Sequence, residues 1–194
     1  MTSVAIKTVT NAGAEQAIAV VVMAFSTDPL IRWAFPGAHQ YLTHYPSYVR
    51  ALTVNAFEHQ TVHYADNFSG ASFWLPPGIS FDQGTVVDVL LRAASAHIHS
   101  EIFALLEKIG SYHPDEPHWY LPLMGVEPTQ QGRGIGSALL KHALSQCDQD
   151  GKLAYLEASS PANKALYERH GFESLDMVQI GSSPPLFPML RQPR

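Results

Sequence analysis

The sequence predicts an α/β protein, a mixed, twisted β-sheet flanked by α-helices, and three observations carry that expectation. The stretch from Leu121 to Lys141 reads as a strand, a glycine-rich turn and a helix in succession. A second strand, Ala154-Tyr-Leu-Glu-Ala158, runs into another helix that begins near Pro161. The chain also opens in this way, with apolar–polar alternation from Val4 to Thr8 and then an aliphatic, alanine-rich run from Ala14 to Phe25. At 194 residues, 46% hydrophobic and 15% charged, the chain suits one globular domain with a sizeable core.

Along the chain, Asp28 stands before Pro29 in the order of a helix cap and first turn, so a short helix is expected to end near Pro36. Tyr41, Tyr45, Tyr48, Leu52 and Phe57 recur at helical spacing between Gln40 and His59, in a helix that Pro46 should interrupt or begin. Thr61 to Ala65 and Gly70 to Leu75 read as a hairpin around Asp66-Asn67, stopped by Pro76-Pro77-Gly78. Helices follow from Asp82 to Ala96 and from Ser100 to Ile109, and a loop, His113 to Pro117, leads into the central strand His118 to Val126. Met177 to Ile180 and Leu186 to Leu190 are expected as the last two strands, joined by Gly181-Ser-Ser-Pro-Pro185.

Composition narrows the function. A formal charge of −5 argues against a nucleic-acid binder that works by phosphate neutralisation, and it leaves room for a cationic substrate. Cys147 is the only cysteine, the N-terminus lacks a secretion pattern, and the longest apolar run, Ala17 to Phe25, is too short to span a bilayer. A cytoplasmic protein without membrane or nucleic-acid partners is expected. Of the ten histidines, His97-x-His99 and His59-x3-His63 lack a third ligand at a recognised spacing, so no metal is expected. Cys147 falls on the apolar face of its helix and reads as a buried, inert thiol.

The glycine-rich turn carries the most chemistry. Gly132, Gly134 and Gly136 permit positive φ and close approach of a ligand, and the unpaired N–H groups of the following helical turn form an anion site, most naturally for phosphate. Ile135, Leu139, Leu140, Ala143, Leu144 and Cys147 give that helix one apolar face, which mounts it on the sheet. No Lys follows a glycine at the offset of a P-loop. A dinucleotide-binding turn would need a glycine or alanine where Ser137 or Leu139 stands, although Glu157 could supply its acidic residue. A turn that only joins strand to helix is the remaining alternative.

Gln131-Gly-Arg-Gly-Ile-Gly136 resembles the Q/R-x-x-G-x-G/A pyrophosphate loop of the GCN5-related N-acetyltransferases (GNAT). The run Asn163-Lys-Ala-Leu-Tyr167, followed by Gly171-Phe172, is similar to that family's second signature, N-x-x-A-x-x-x-Y and a G-F turn, although shorter. The Trp33 segment, the Phe73 to Gly78 strand end and the C-terminal half further resemble the branch containing puromycin N-acetyltransferase. The resemblance implies a GNAT fold over a single domain, 1–194. In that domain 1–117 would supply the first strand, a hairpin and acceptor-side helices, and 118–194 the acetyl-CoA-binding core and C-terminal hairpin.

It also implies acetyl-CoA as co-substrate, held by Met124, Gly125, Val126, Gln131, Gly132, Arg133, Gly134, Ile135, Gly136, Ser137, Asn163 and Tyr167. Backbone N–H groups near Gly125 and Val126 would face the developing oxyanion. Tyr167 would protonate the leaving thiolate. Glu157, in a short apolar strand where burial raises proton affinity, is the candidate base, acting directly or through a water. Asp28, Trp33 and Trp74 are candidates for contact with the acceptor. The implied reaction is direct attack of a small-molecule amine on the thioester in a ternary complex, by a monomer or homodimer. Packing roles for Trp33 and Tyr167, and a Glu157 that points to solvent or pairs with a structural lysine, are the structural alternatives. A CoA-binding sensor without turnover is the functional one.

Overall fold

The computed structural model describes residues 4–194. Its elements are, in order, β1 (Ile6–Thr8), α1 (Ala14–Ala24), α2 (Pro29–Ala34), α3 (Ala38–Glu58), β2 (Val62–Ala65), β3 (Gly70–Leu75), α4 (Gln83–Ala93), α5 (His99–Gly110), β4 (Trp119–Val126), α6 (Ile135–Gln149), β5 (Ala154–Ala158), α7 (Pro161–Glu168), β6 (Glu173–Ser174) and β7 (Phe187–Arg191). The strands form one seven-stranded sheet in the order β1-β2-β3-β4-β5-β7-β6. Only β4 and β5 run parallel; every other neighbouring pair is antiparallel. Among the described residues no helix is long and apolar enough to cross a membrane.

Each face of the sheet buries its own cluster. Val20, Val21, Tyr45, Val49, Leu52, Val86 and Leu90, from α1, α3 and α4, pack with Phe73, Leu75 and Leu123 on one side. Leu140, Ala143, Leu144 and Cys147 of α6, with Tyr167 of α7, pack with Trp74, Trp119, Leu121 and Leu156 on the other. Cys147 is fully buried, and desolvation raises its thiol pKa to about 12, which keeps it a neutral apolar filler.

Two expectations from sequence need correction. α3 passes through Pro46 unbroken. The ring removes the hydrogen bond to the carbonyl of Leu42, but Leu42 is 66% exposed, so this turn faces solvent and the loss does not break the helix. Met177–Ile180 is not a strand: it makes one isolated bridge, Val178 to Leu186, and the edge strand is instead Glu173–Ser174. Asp176 turns the chain between them, its carboxylate accepting from the Met177 N–H at 2.8 Å while its carbonyl accepts from Ser174 Oγ at 3.1 Å.

The central strand holds a proline, which sheets tolerate at bulges because the missing N–H cannot serve a ladder. Pairing with β3 shifts accordingly: Phe73 faces Leu123 and Leu75 faces Tyr120, so β4 carries one extra residue around Pro122. The extra residue reverses which face each side chain meets. Trp119 and Leu121 enter the α6-side core, whereas Leu123 enters the α1-side core. Gly125 then lies under α1, where an added Cβ would stand 2.7 Å from Ala24 Cβ and 3.3 Å from Val21 Cα. Gly125→Ala should therefore cost about 1–3 kcal/mol by overpacking. Denaturant unfolding at constant m-value tests this, and undiminished stability would mean that α1 does not press on β4 there.

Candidate active site

β4 and β5 pair only from Trp119–Ala154 to Leu121–Leu156, and beyond that point they separate. The continuation of β4 keeps β3 as its neighbour, through Leu123–Phe73, Met124–Ser72, Gly125–Ala71 and Val126–Gly70. The Glu127 N–H donates to Ser69 O at 2.9 Å, so antiparallel alternation makes Leu123, Gly125 and Glu127 the residues bonded to β3. The N–H groups of Met124 and Val126 consequently point to the side that β5 has left. The carbonyl of Val126 does so too, and accepts from Gln131 Nε2 at 3.2 Å.

That side meets the glycine turn. Gly132 and Gly134 have φ of +76° and +83°, and nothing lies within 4 Å of a Cβ built on either. Both conformations are left-handed ones that favour glycine, and the empty space beside them is where a ligand can approach the backbone. Gly134 is the N-cap of α6 and contributes no side-chain cap, so the first N–H groups of the helix are left to a ligand. Gly136 packs close under Leu166 of α7. His170 Nε2 lies 3.0 Å from Ser137 Oγ, a further tie between the end of α7 and the first turn of α6.

A cavity of about 450 Å³ runs from this turn along Met124–Val126 to Asn163, Leu166, Tyr167 and Arg169. A second, of about 830 Å³, opens on the other side of the splay, between β4, β5 and helices α3 to α5. Phe25, Met124, Asn163 and Tyr167 line both, so the two cavities join at the open edge of β4. Ser160 caps α7 by accepting from the Asn163 N–H at 3.2 Å, with Pro161 in the first turn. The Tyr167 ring packs edge-on against Phe172. Burial, and secondarily the charge of Asp28, pushes the Tyr167 phenol up, so the hydroxyl stays protonated.

Glu157 lines the larger cavity with a side chain only 9% exposed. Tyr120 Oη donates to Oε2 at 2.9 Å. Oε1 has His113 Nε2 at 3.3 Å but no hydrogen bond of adequate geometry, which leaves a buried carboxylate oxygen for a ligand's donor. The same cavity contains Glu107, Asp115 and Glu116, and no lysine or arginine among the described residues that line it. Much of the remaining wall is apolar, with Leu52, Ile79, Phe81, Val86, Phe103 and Leu106.

The remaining sequence candidates separate in space. Asp28 caps α2 by accepting from Leu30 N and Ile31 N at 3.0 and 3.1 Å, and its other oxygen accepts from Ser159 Oγ. It thus ties α2 to the turn between β5 and α7, at the rim of the smaller cavity and not in the larger one. Desolvation raises its pKa against the pull of those hydrogen bonds. Trp33 lines neither cavity; its Nε1 donates to Ser182 Oγ at 3.0 Å. Trp74 is fully buried in the α6-side core, away from both. Arg133 lies on the surface against Gln130 Oε1, whereas Arg169 lines the smaller cavity. His113, His118, Tyr120 and Arg169 were not singled out from sequence. His113 stands in a loop without periodicity, His118 was read only as the start of the central strand, and Tyr120 reaches Glu157 only through the parallel pairing of β4 and β5.

The strand order and the splay between β4 and β5 define a mixed α/β fold, and comparison with known proteins supports a family. Residues 99–174 match the family model described as Acetyltransferase (GNAT) domain. An uncharacterized N-acetyltransferase of Schizosaccharomyces pombe is 28% identical over 145 residues, 66% of this chain and 58% of that protein, so the chain spans less than two-thirds of the relative's length. A crystal structure described as histone acetyltransferase HPA2 and related acetyltransferase, from Corynebacterium glutamicum, superposes with a TM-score of 0.68 at 25% identity, covering 100% of this chain and 98% of that one. Arylalkylamine N-acetyltransferase 2 of Aedes aegypti has the same fold, with a TM-score of 0.69 at 11% identity over the whole of both chains. The chain has the GNAT fold, and these matches support the GNAT acetyltransferase domain family.

Proposed function

We propose that this protein is an acetyl-CoA-dependent N-acetyltransferase for a small amine with an apolar body. One observation carries the reading: an anion cradle and an acidic, largely apolar cavity meet at the free edge of a central strand. The family match and the resemblance of the cofactor half to the puromycin N-acetyltransferase branch favour acetyl-CoA as donor. The cradle fits that group, because its bare amides and the vacant space over Gly132 and Gly134 suit a diphosphate. When bound, acetyl-CoA would supply an acetyl group activated as a thioester. The amine class rests on the larger cavity, where carboxylates attract a cation and the aliphatic and aromatic wall takes up its body. The fold neighbour named as an arylalkylamine enzyme is consistent with that choice.

The chain's own groups then divide the work. Gly132 and Gly134 to Ser137 hold the diphosphate through backbone amides, with Arg169 adding charge. The N–H groups of Met124 and Val126 are free donors for the negative charge that develops on the carbonyl oxygen. An alkylammonium with a pKa near ~10.4 must lose a proton before it can attack. Glu157 Oε1, buried and without a good partner, accepts that proton directly or through a water. Tyr167, kept protonated by burial, donates to the departing thiolate. Asp28 accepts from Ser159 Oγ, which is also 3.4 Å from Asn163 Nδ2, and so ties α2 to the first turn of α7, the helix that carries Tyr167.

Thiol release from acetyl-CoA, measured against arylalkyl amines, alkyl amines, polyamines, aminoglycosides and peptide N-termini, tests the reading. Turnover should favour monoamines with an apolar body. CoA binding without thiol release for any amine would make the protein a binding module.

Gly134→Val should lose CoA affinity by tenfold or more in calorimetry. The side chain meets no protein atom, so the fold should bear only the strain of its left-handed backbone, about 1–2 kcal/mol. An unchanged affinity in the folded variant would remove the cradle from the account. Tyr167→Phe and Glu157→Gln should each keep CoA affinity while turnover drops by about 10²-fold or more, the range of acid–base catalysis. Full turnover in either variant would reduce that side chain to packing.

A further inference from the structure

Behind the glycine turn stands a titratable group that the proposed chemistry leaves unused. His170, the second residue after α7, brings its Nε2 to 3.0 Å from Ser137 Oγ, and Ser137 lies in the first turn of α6 on the wall of the smaller cavity. The ring is partly buried and its backbone is pinned. Arg191 Nε of β7 donates to the His170 carbonyl at 3.1 Å, while the same guanidinium holds Asp148 of α6 at 2.7 and 2.9 Å. His170 thus meets α6 directly at its first turn and, through Arg191, near its last.

The charges that act on the ring are cationic. They are Lys141 on α6, Arg169 at the end of α7 and Arg191 on β7, and the Arg194 side chain lies over the adjacent Gly171. Asp148 is already committed to the Arg191 guanidinium and to the Arg194 N–H. Desolvation, and after it Lys141, Arg169 and Arg191, lower the pKa of His170. By itself, then, the chain discourages an imidazolium at this position. A doubly charged diphosphate on the amides of Gly132 to Ser137 would offset those cations and reverse the preference.

We propose that His170 and Ser137 link cofactor binding to a proton: the ring takes one up from solvent when a diphosphate settles on the first turn of α6. This rests on the reading of that turn as the acetyl-CoA cradle. Hydrogen-bond accounting gives the pair its role. An imidazolium carries hydrogen on both nitrogens, so Nε2 then donates to Ser137 Oγ and the serine hydroxyl hydrogen is free to point into the cavity. Ser137 becomes a donor to a phosphate oxygen beside its own backbone N–H, with the positive ring directly behind it. A neutral ring with its hydrogen on Nδ1 does the opposite, because Nε2 then accepts the hydroxyl hydrogen and turns it away. No covalent bond to the ligand forms or breaks: one proton is gained from water on binding and one is returned on release. The coupling is reciprocal, so whatever binding adds to the proton affinity of His170, acid adds to the affinity for the diphosphate. Since the complex holds the proton more tightly than the free protein, binding strengthens as pH falls through the pKa of the bound state and levels off below that of the free state.

Calorimetry with dephospho-CoA tests this, because that probe keeps the diphosphate and lacks the phosphomonoester that would itself titrate near about pH 6. Wild type should bind it about fivefold or more tightly at about pH 5.5 than at about pH 8, the lower end of typical coupling between two sites. Proton uptake should show as a dependence of the binding heat on the ionisation enthalpy of the buffer. His170→Gln keeps a donor without the charge and should lose both the pH dependence and the uptake, and Ser137→Ala should lose most of each. Nitrogen-15 NMR should show the His170 ring titrating at higher pH with the probe bound. Wild-type binding without proton uptake, a wild-type pH profile in His170→Gln, or the full gain in Ser137→Ala would each overturn the linkage. If His170→Gln fails to fold, the uptake by wild type, its NMR titration and Ser137→Ala decide. A wild type that binds no dephospho-CoA at any pH would instead remove the cradle itself, and the linkage would fall with it.

Discussion

The structure depends on the separation of two parallel strands. β4 and β5 share a ladder only as far as Leu121 and Leu156, after which β4 stays with β3 and β5 stays with β7. Pro122 marks the change, because a residue without an N–H is accommodated by a bulge. Two consequences follow from that local event. Backbone donors at Met124 and Val126 lose a strand partner without gaining solvent on a flat surface. The space they face is roofed by α6 and α7 on one side and by α3 to α5 on the other. A gap of this kind would be costly if nothing filled it, since buried amides without partners cost free energy. The proposed donor and acceptor are what those groups await.

The site is held rigidly by contacts that have no chemical role of their own. α6 buries Leu139, Leu140, Ala143 and Leu144, which fixes the direction of its first turn. Asp28 spans from α2 to Ser159, linking the helices over the larger cavity to the turn that starts α7. Glu157 is held by Tyr120 from the neighbouring strand, and an aromatic wall of Tyr48, Tyr120 and Tyr155 keeps water from solvating it fully. That enclosure leaves Glu157 Oε1 without a hydrogen-bond partner, as the proposed role of this carboxylate requires.

How much of this was legible in the sequence depended on whether a feature was contiguous. The glycine turn, the apolar face of α6, the Ser160–Pro161 helix start and the Asp28–Pro29 cap were readable because each needs only neighbours within one or two turns. The path of α3 through Pro46 was misjudged because the solvent exposure of Leu42 is a tertiary fact. Trp74 was read as a strand-end residue facing a pocket, but the bulge opposite it and the sheet's alternation send it into the α6-side core. Glu157 stood out by its apolar strand alone. Its partners did not, since Tyr120 is 37 residues away and His113 further still, and only the register of β4 against β5 brings them together. Of the last two strands expected, Leu186–Leu190 stands as β7, whereas Met177–Ile180 fails for a local reason, the turn at Asp176, that propensity did not outweigh.

On the proposed function, the splay between β4 and β5 is where acetyl transfer is arranged. A crystal structure with CoA and an apolar monoamine tests it most directly. The account predicts the diphosphate on the amides of Gly132 to Ser137, the sulfur beside the Tyr167 hydroxyl, and the amine nitrogen in the larger cavity at Glu157 Oε1. A diphosphate bound away from that turn, or an amine lodged out of reach of Glu157, would contradict it.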